Sequence, residues 1–158
     1  MSPKASWTAP TAVRRLDRSL AFKLLQAREL VMQRFRPHLR QYDLTEQQWR
    51  VLRALAEFGP REMRDLSERC CILPPSLSRT VPMLEARGLV ARQTVDSDQR
   101  RIEVSLTDDG RTLFNIAAGE SERIYAEMGD ALGKDTLAAT LELLDTVITR
   151  LGTGKADG

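Results

Sequence analysis

Pro74-Pro75-Ser76-Leu77-Ser78-Arg79-Thr80-Val81-Pro82-Met83-Leu84-Glu85-Ala86-Arg87-Gly88-Leu89-Val90-Ala91-Arg92 is the stretch on which the fold turns. Its opening is helix-start chemistry: a first-turn N–H has no intrahelical partner, so proline loses nothing there. Leu77, Val81 and Leu84 then recur on one helical face, and Gly88 is placed to end the helix in the left-handed conformation. Past Gly88 the period changes. Residues 89–94 and 101–106 read as strands, the second alternating Ile102, Val104 and Leu106 with Arg101, Glu103 and Ser105. The polar run 95–100 joins them as a hairpin.

Working back from this stretch, residues 62–70 form a short helix with Met63, Leu66 and Cys70 turned inward. Before it, Leu44-Thr45-Glu46-Gln47-Gln48-Trp49 is a strong helix start, with Thr45 and Gln48 as a capping box and Leu44 and Trp49 as a staple. Gly59-Pro60 stops that helix. Further back, Leu16, Leu20, Leu24, Ala27, Val31 and Phe35 form a helical stripe starting near Arg14, which Pro37 is expected to end or kink. Working forward, Thr107-Asp108-Asp109 opens a helix that runs to about Gly129. A last helix spans 134–151, striped by Leu137, Leu141, Leu144 and Ile148.

The fold class is therefore mainly α with a small β-hairpin: four helices, the hairpin, and two helices. Residues 1–13 are expected to be a flexible arm and 152–158 a disordered tail. Between them lie an N-terminal helix (14–43), a central lobe (44–106) and two C-terminal helices (107–151).

Composition narrows the function. The chain has 158 residues, 42% hydrophobic and 29% charged, as in a globular protein. It has no leader-like apolar segment at the N-terminus and no run near the roughly 18 apolar residues that cross a bilayer, so a cytoplasmic place without membrane association is expected. The net charge of +2 conceals an asymmetry: residues 1–106 carry +7 and residues 107–158 carry −5. A basic front suits a polyanionic partner, and 20 of the 24 basic residues are Arg, whose fork matches phosphates and guanine edges. His38 is the single histidine, which excludes a His-dependent triad or a multi-His metal site. With no Gly-rich phosphate loop either, neither an enzyme nor a cofactor is expected. Cys70 and Cys71 are adjacent and read as two reduced thiols.

Two short helices, a tight turn and a two-stranded wing make a winged helix-turn-helix. The second helix of such a unit enters the DNA major groove, where all four base pairs are distinguishable, and the wing reaches a neighbouring groove. With Leu77, Val81 and Leu84 inward, Pro75, Ser76, Ser78 and Arg79 face out as contacts for phosphates and base edges. Arg100 and Arg101 are the candidates on the wing.

The phrases Leu66-Ser67-Glu68, Ser76-Leu77-Ser78-Arg79 and 84–92, with Asp98-Gln99-Arg100-Arg101 and 106–110, resemble the multiple-antibiotic-resistance (MarR) regulators over about residues 15–150. Residues 44–55 and the proline in 77–82 look like a narrower branch, the repressors of homoprotocatechuate degradation operons. The resemblance implies a two-fold homodimer built by the first and last two helices, which reads a pseudo-palindromic operator in double-stranded DNA. It also implies release by a phenolic or aromatic carboxylate bound between the dimer helices and the lobe. An aromatic acid needs an apolar slot and a cationic anchor; Phe22, Arg28, His38, Trp49 and Arg53 are the candidates. Two residues depart from the family pattern. Pro82 stands where many members carry Asp and is expected to bend the recognition helix. Ser97 replaces a frequent wing-tip Arg, leaving that work to Arg100 or Arg101, while an Asp98–Arg100 pair holds the wing. Two other readings remain at this point: a thiol-based redox sensor using Cys70 or Cys71, and a winged adaptor that does not bind DNA.

Overall fold

The computed structural model describes residues 13–95 and 101–152. The arm other than Val13, the hairpin turn with Ser97, Asp98 and Arg100, and the tail beyond Gly152 lie outside the described residues.

A single 3-10 turn, Leu16–Arg18, precedes α1 (Leu20–Gln41). The first helix thus starts six residues later than its stripe suggests, because Ser19 takes the N-cap, its extended backbone letting Oγ accept from the Phe22 N–H. Pro37 does not end it. One lost backbone bond is outweighed by the last turn, where Phe35, His38 and Leu39 are buried. α2 (Glu46–Phe58) has the expected capping box, with Gln48 N–H on Thr45 Oγ1 and Thr45 N–H on Gln48 Oε1.

Next come β1 (Arg61–Glu62), α3 (Met63–Cys70), α4 (Pro74–Ala86), β2 (Val90–Thr94) and β3 (Ile102–Leu106). The wing is a three-stranded antiparallel sheet in the order β1-β3-β2, with Arg61 opposite Val104 and Val90 opposite Leu106. β1 is an addition to the expected hairpin. α5 (Asp108–Leu132) is capped by Thr107 and runs three residues past the expected end, to Gly133 at φ +83°; α6 (Lys134–Gly152) follows. Among the described residues no helix is long and apolar enough to cross a membrane.

One core fills the lobe. Leu52, Leu55, Leu66, Leu77, Val81, Leu84, Val90 and Val104 are fully enclosed, with Trp49, Cys70 and Ala117 around them. A second, smaller cluster of Phe35, Ile124 and Met128 ties α1 to α5. Outside both, Leu20, Leu24, Val31, Leu141 and Ile148 are exposed in the single chain, and α6 buries no residue.

The seam between α1 and α2 is ionic. Arg36 reaches Glu29 and, at 2.7 Å, Glu46, while Arg28 also pairs with Glu46. Burial alone would push the Glu46 carboxyl up, but the two guanidiniums together outweigh it and hold the carboxyl below its usual range. A lowered folded-state value stabilises the fold above the ordinary carboxylate range, and the contribution disappears as pH falls through the lowered value. Between about pH 6 and about pH 3 the wild-type chain is therefore expected to lose more unfolding free energy than Glu46→Gln. Urea titrations across that range check this; parallel pH profiles would refute it.

Candidate DNA-reading face and effector cleft

The candidate recognition helix is α4. Pro74 and Pro75 occupy its first turn, Leu73 is the N-cap residue without a side-chain bond, and Gly88 at φ +69° follows its end. Leu77, Val81 and Leu84 are at most 1% exposed, so the opposite face is fixed outward. Pro75, Ser78 and Arg79 are exposed there and Ser76 is half-buried. Pro82 sits inside an uninterrupted helix. Thr80, which sequence reasoning passed over, is buried with Oγ1 2.9 Å from the Ser76 carbonyl and 3.2 Å from Gln47 Oε1. It pins the recognition helix to the first turn of α2. The legible signal was a threonine four residues after Ser76, the spacing for a side-chain bond back to the helix carbonyl.

Charge pairing separates Arg79 from its neighbours. Arg50 bonds the Cys70 and Cys71 carbonyls, Arg87 those of Tyr42 and Asp43, and Arg92 pairs with Glu85. Arg101 pairs with Glu62 of β1 and holds its carboxyl below the usual range, so this wing arginine also fastens the root of the sheet. Arg79 makes no hydrogen bond or ion pair with any described residue, and its fork is available to an outside partner.

A second site lies where α2 crosses α5. Trp49 stacks on Phe114 at 5.3 Å between centroids and 23° between planes. One turn on, Arg53 Nη1 donates to Tyr125 Oη at 3.1 Å, with the guanidinium 5.6 Å from that ring. Between these pairs is a cleft of about 200 Å³ lined by Trp49, Arg53, Phe114, Ala118, Ser121 and Glu122 among others. It joins an apolar aromatic wall to a cation at the mouth. Of the five expected effector residues, Trp49 and Arg53 meet here. His38 is buried behind them, edge-on to Trp49 at 6.5 Å, with Nε2–H donating to the Ala117 carbonyl at 3.0 Å. Its Nδ1 stands 3.2 Å from Glu120 Oε2, within ion-pair range but off the line of a hydrogen bond. Phe22 and Arg28 do not line the cleft: Phe22 is in the first turn of α1, and Arg28 is engaged by Glu46. A larger hollow of about 790 Å³ between α3 and α4 offers no aromatic wall and opens beside Ser78.

Cys70 is buried and donates to the Arg50 carbonyl at 3.5 Å, whereas Cys71 is exposed. Burial pushes the Cys70 thiol up, away from the thiolate that oxidation requires.

A buried inner face on α4, an outward face whose Arg79 has no partner among the described residues, and a sheet wing behind it define a winged helix-turn-helix lobe. Comparison with known proteins agrees. The MarR family model matches residues 42–101. The chain is 40% identical over 130 residues to the homoprotocatechuate degradative operon repressor of Escherichia coli, covering 82% of this chain and 88% of that one. It is similar in structure to NadR in complex with 4-hydroxyphenylacetate (TM-score 0.77, 34% identity, 85% of this chain and 98% of that one). It is also similar to the transcriptional repressor CouR bound to a 23-mer DNA duplex (TM-score 0.76, 29% identity, 84% and 94%). The chain belongs to the MarR family of transcriptional regulators.

Proposed function

We propose that this regulator is a homodimeric repressor of an aromatic-compound catabolic operon, which binds a pseudo-palindromic operator and leaves it when a phenolic or aromatic carboxylate occupies the α2–α5 cleft. The observation that carries the DNA-binding half is Arg79, an exposed arginine on the outward face of α4 with no partner among the described residues. Pro75, Ser76 and Ser78 lie on the same helix; Arg101, immediately before β3, is proposed as a further contact, and so is Arg100 from its place in the sequence. Support for the homodimer comes from the apolar side chains that α1 and α6 leave uncovered. A two-fold axis through them would pair two lobes on half-sites about one helical turn apart. Support for the ligand class comes from the aromatic stack beside Arg53, and from relatives whose names give an aromatic-acid operon and a bound aromatic acid.

The decisive experiment selects DNA from a random pool with the full-length protein and then measures release by aromatic acids. A palindromic consensus and ligand-driven release are expected. No DNA affinity, or affinity without a salt slope, would favour the adaptor reading. Arg53→Ala is expected to keep DNA affinity but need at least about tenfold more ligand for release, since one charge-assisted hydrogen bond contributes roughly 1.5–3 kcal/mol. An unchanged half-release concentration would remove Arg53 from the site. The thiol reading makes a different demand: peroxide must release DNA from the wild type and not from a Cys70→Ser/Cys71→Ser double variant.

A further inference from the structure

Ser121 carries a buried hydroxyl for which the fold supplies no partner among the described residues. It is 2% exposed, and its Oγ makes no hydrogen bond. A helical serine ordinarily turns its hydroxyl onto the carbonyl four residues back. Here that carbonyl belongs to Ala117. It already accepts the Ser121 backbone N–H in the helical ladder and His38 Nε2–H at 3.0 Å, so both lone pairs are in use. The other two such buried atoms, His38 Nδ1 and Arg50 Nε, belong to rings or forks bonded elsewhere. An unpaired buried hydroxyl is costly to keep, and Ser121 is one of the residues that line the cleft, beside Ala118.

Depth sorts the chemistry along the cleft. Arg53 is exposed at the mouth, where a carboxylate keeps part of its hydration, and Ser121 is enclosed at the floor. A charge is far costlier to bury than a hydroxyl that finds a partner. The volume of about 200 Å³ exceeds the roughly 150 Å³ that admits one benzene, so a single ring with small substituents fits. Exposed Glu57 and Glu122 on the rim oppose a second carboxylate.

From this, and resting on the effector role proposed above, we infer that Ser121 is the specificity-determining residue of the cleft: its hydroxyl bonds a ring hydroxyl of a monocyclic aromatic acid whose carboxylate Arg53 holds. Serine and phenol can each donate and accept, so the pair satisfies both groups.

Titration calorimetry of the full-length wild type and Ser121→Ala with phenylacetate, 3-hydroxyphenylacetate and 4-hydroxyphenylacetate tests this. The wild type is expected to prefer one hydroxylated acid over phenylacetate by about tenfold or more. Ser121→Ala is expected to bring that ratio to about one, leave phenylacetate binding as tight as before, and unfold at no lower temperature. A wild type without preference, a preference that survives in Ser121→Ala, or a fall in melting temperature from the loss of the hydroxyl would each overturn the assignment and leave the cleft standing. If none of the three acids binds the wild type, or if Arg53→Ala binds them unchanged, the effector cleft itself falls and Ser121 with it.

Discussion

Arg79→Ala is expected to weaken binding to the selected palindrome by at least about thirtyfold while leaving the melting temperature within a degree or so of wild type. A bidentate arginine–base contact contributes about 1–3 kcal/mol of discrimination, and the proposed two-fold dimer would lose it twice. The fold loses nothing comparable, because Arg79 is exposed and bonds no described residue, in contrast to Arg50, Arg87 and Arg92. Fluorescence anisotropy with labelled duplex and a thermal melt measure the two quantities. Arg79→Lys separates the contact types: lysine keeps a phosphate contact but not the planar fork. Restored affinity in Arg79→Lys would place Arg79 on the backbone, and undiminished affinity in Arg79→Ala would place the reading face elsewhere on the lobe.

The largest effect on stability is expected at Gly110, in the first turn of α5. A Cβ there would stand 1.9 Å from the Leu89 carbonyl oxygen and 2.8 Å from its carbon. That carbonyl also accepts the Thr107 N–H, and Thr107 Oγ1 donates to the Gly88 carbonyl, so the end of α4, the wing root and α5 are closed on each other there. An ordinary C···O contact is near 3.3 Å. Gly110→Ala must therefore push the α5 and Leu89 backbones apart by more than about 1 Å, and neither is the free end of a side chain. Alanine's helical advantage of about 1 kcal/mol is too small to offset this. We expect a loss of about 3 kcal/mol or more, a melting temperature lower by roughly 10 °C, and weaker DNA binding as the wing shifts. Gly119→Ala on the same helix is the control. Nothing lies within 4 Å of its Cβ, so only the propensity gain remains and the melting temperature is expected to rise. If the two variants melt alike, the close approach at Leu89 is not the reason for Gly110.

What the sequence disclosed was local. The Thr45–Gln48 box, the Leu77/Val81/Leu84 face and the turn at Gly88 each depend on residues within a few positions of one another. What escaped was decided by partners far along the chain. β1 is two residues without alternation, and only pairing with β3, some forty positions on, makes it a strand. Pro37 reads as a stop by local rules, yet Phe35, His38 and Leu39 find buried places that carry α1 past it. The cleft was half legible. Trp49 and Arg53 lie one turn apart on α2, but Phe114, Ser121 and Tyr125 become their neighbours only when α5 crosses behind them. Phe22 and Arg28 had suitable side chains for an aromatic acid but stand on a helix that leads elsewhere.

The continuity of α5 has a mechanical consequence. Its 25 residues form a rod of about 37 Å, rooted on the wing at Thr107 and Gly110, bordering the cleft along its middle, and turning into α6 at Gly133. A stiff helix pivoted at its middle has an arm of about 15–20 Å on either side, so a tilt of about 5° at the cleft displaces each end by roughly 1.5 Å. Such a shift is about a quarter of the roughly 6 Å half-width of a major groove. On the proposed mechanism, a guest of a dozen heavy atoms would therefore have no need to reach the DNA: it would need only to change the angle at which one lever leaves its fulcrum.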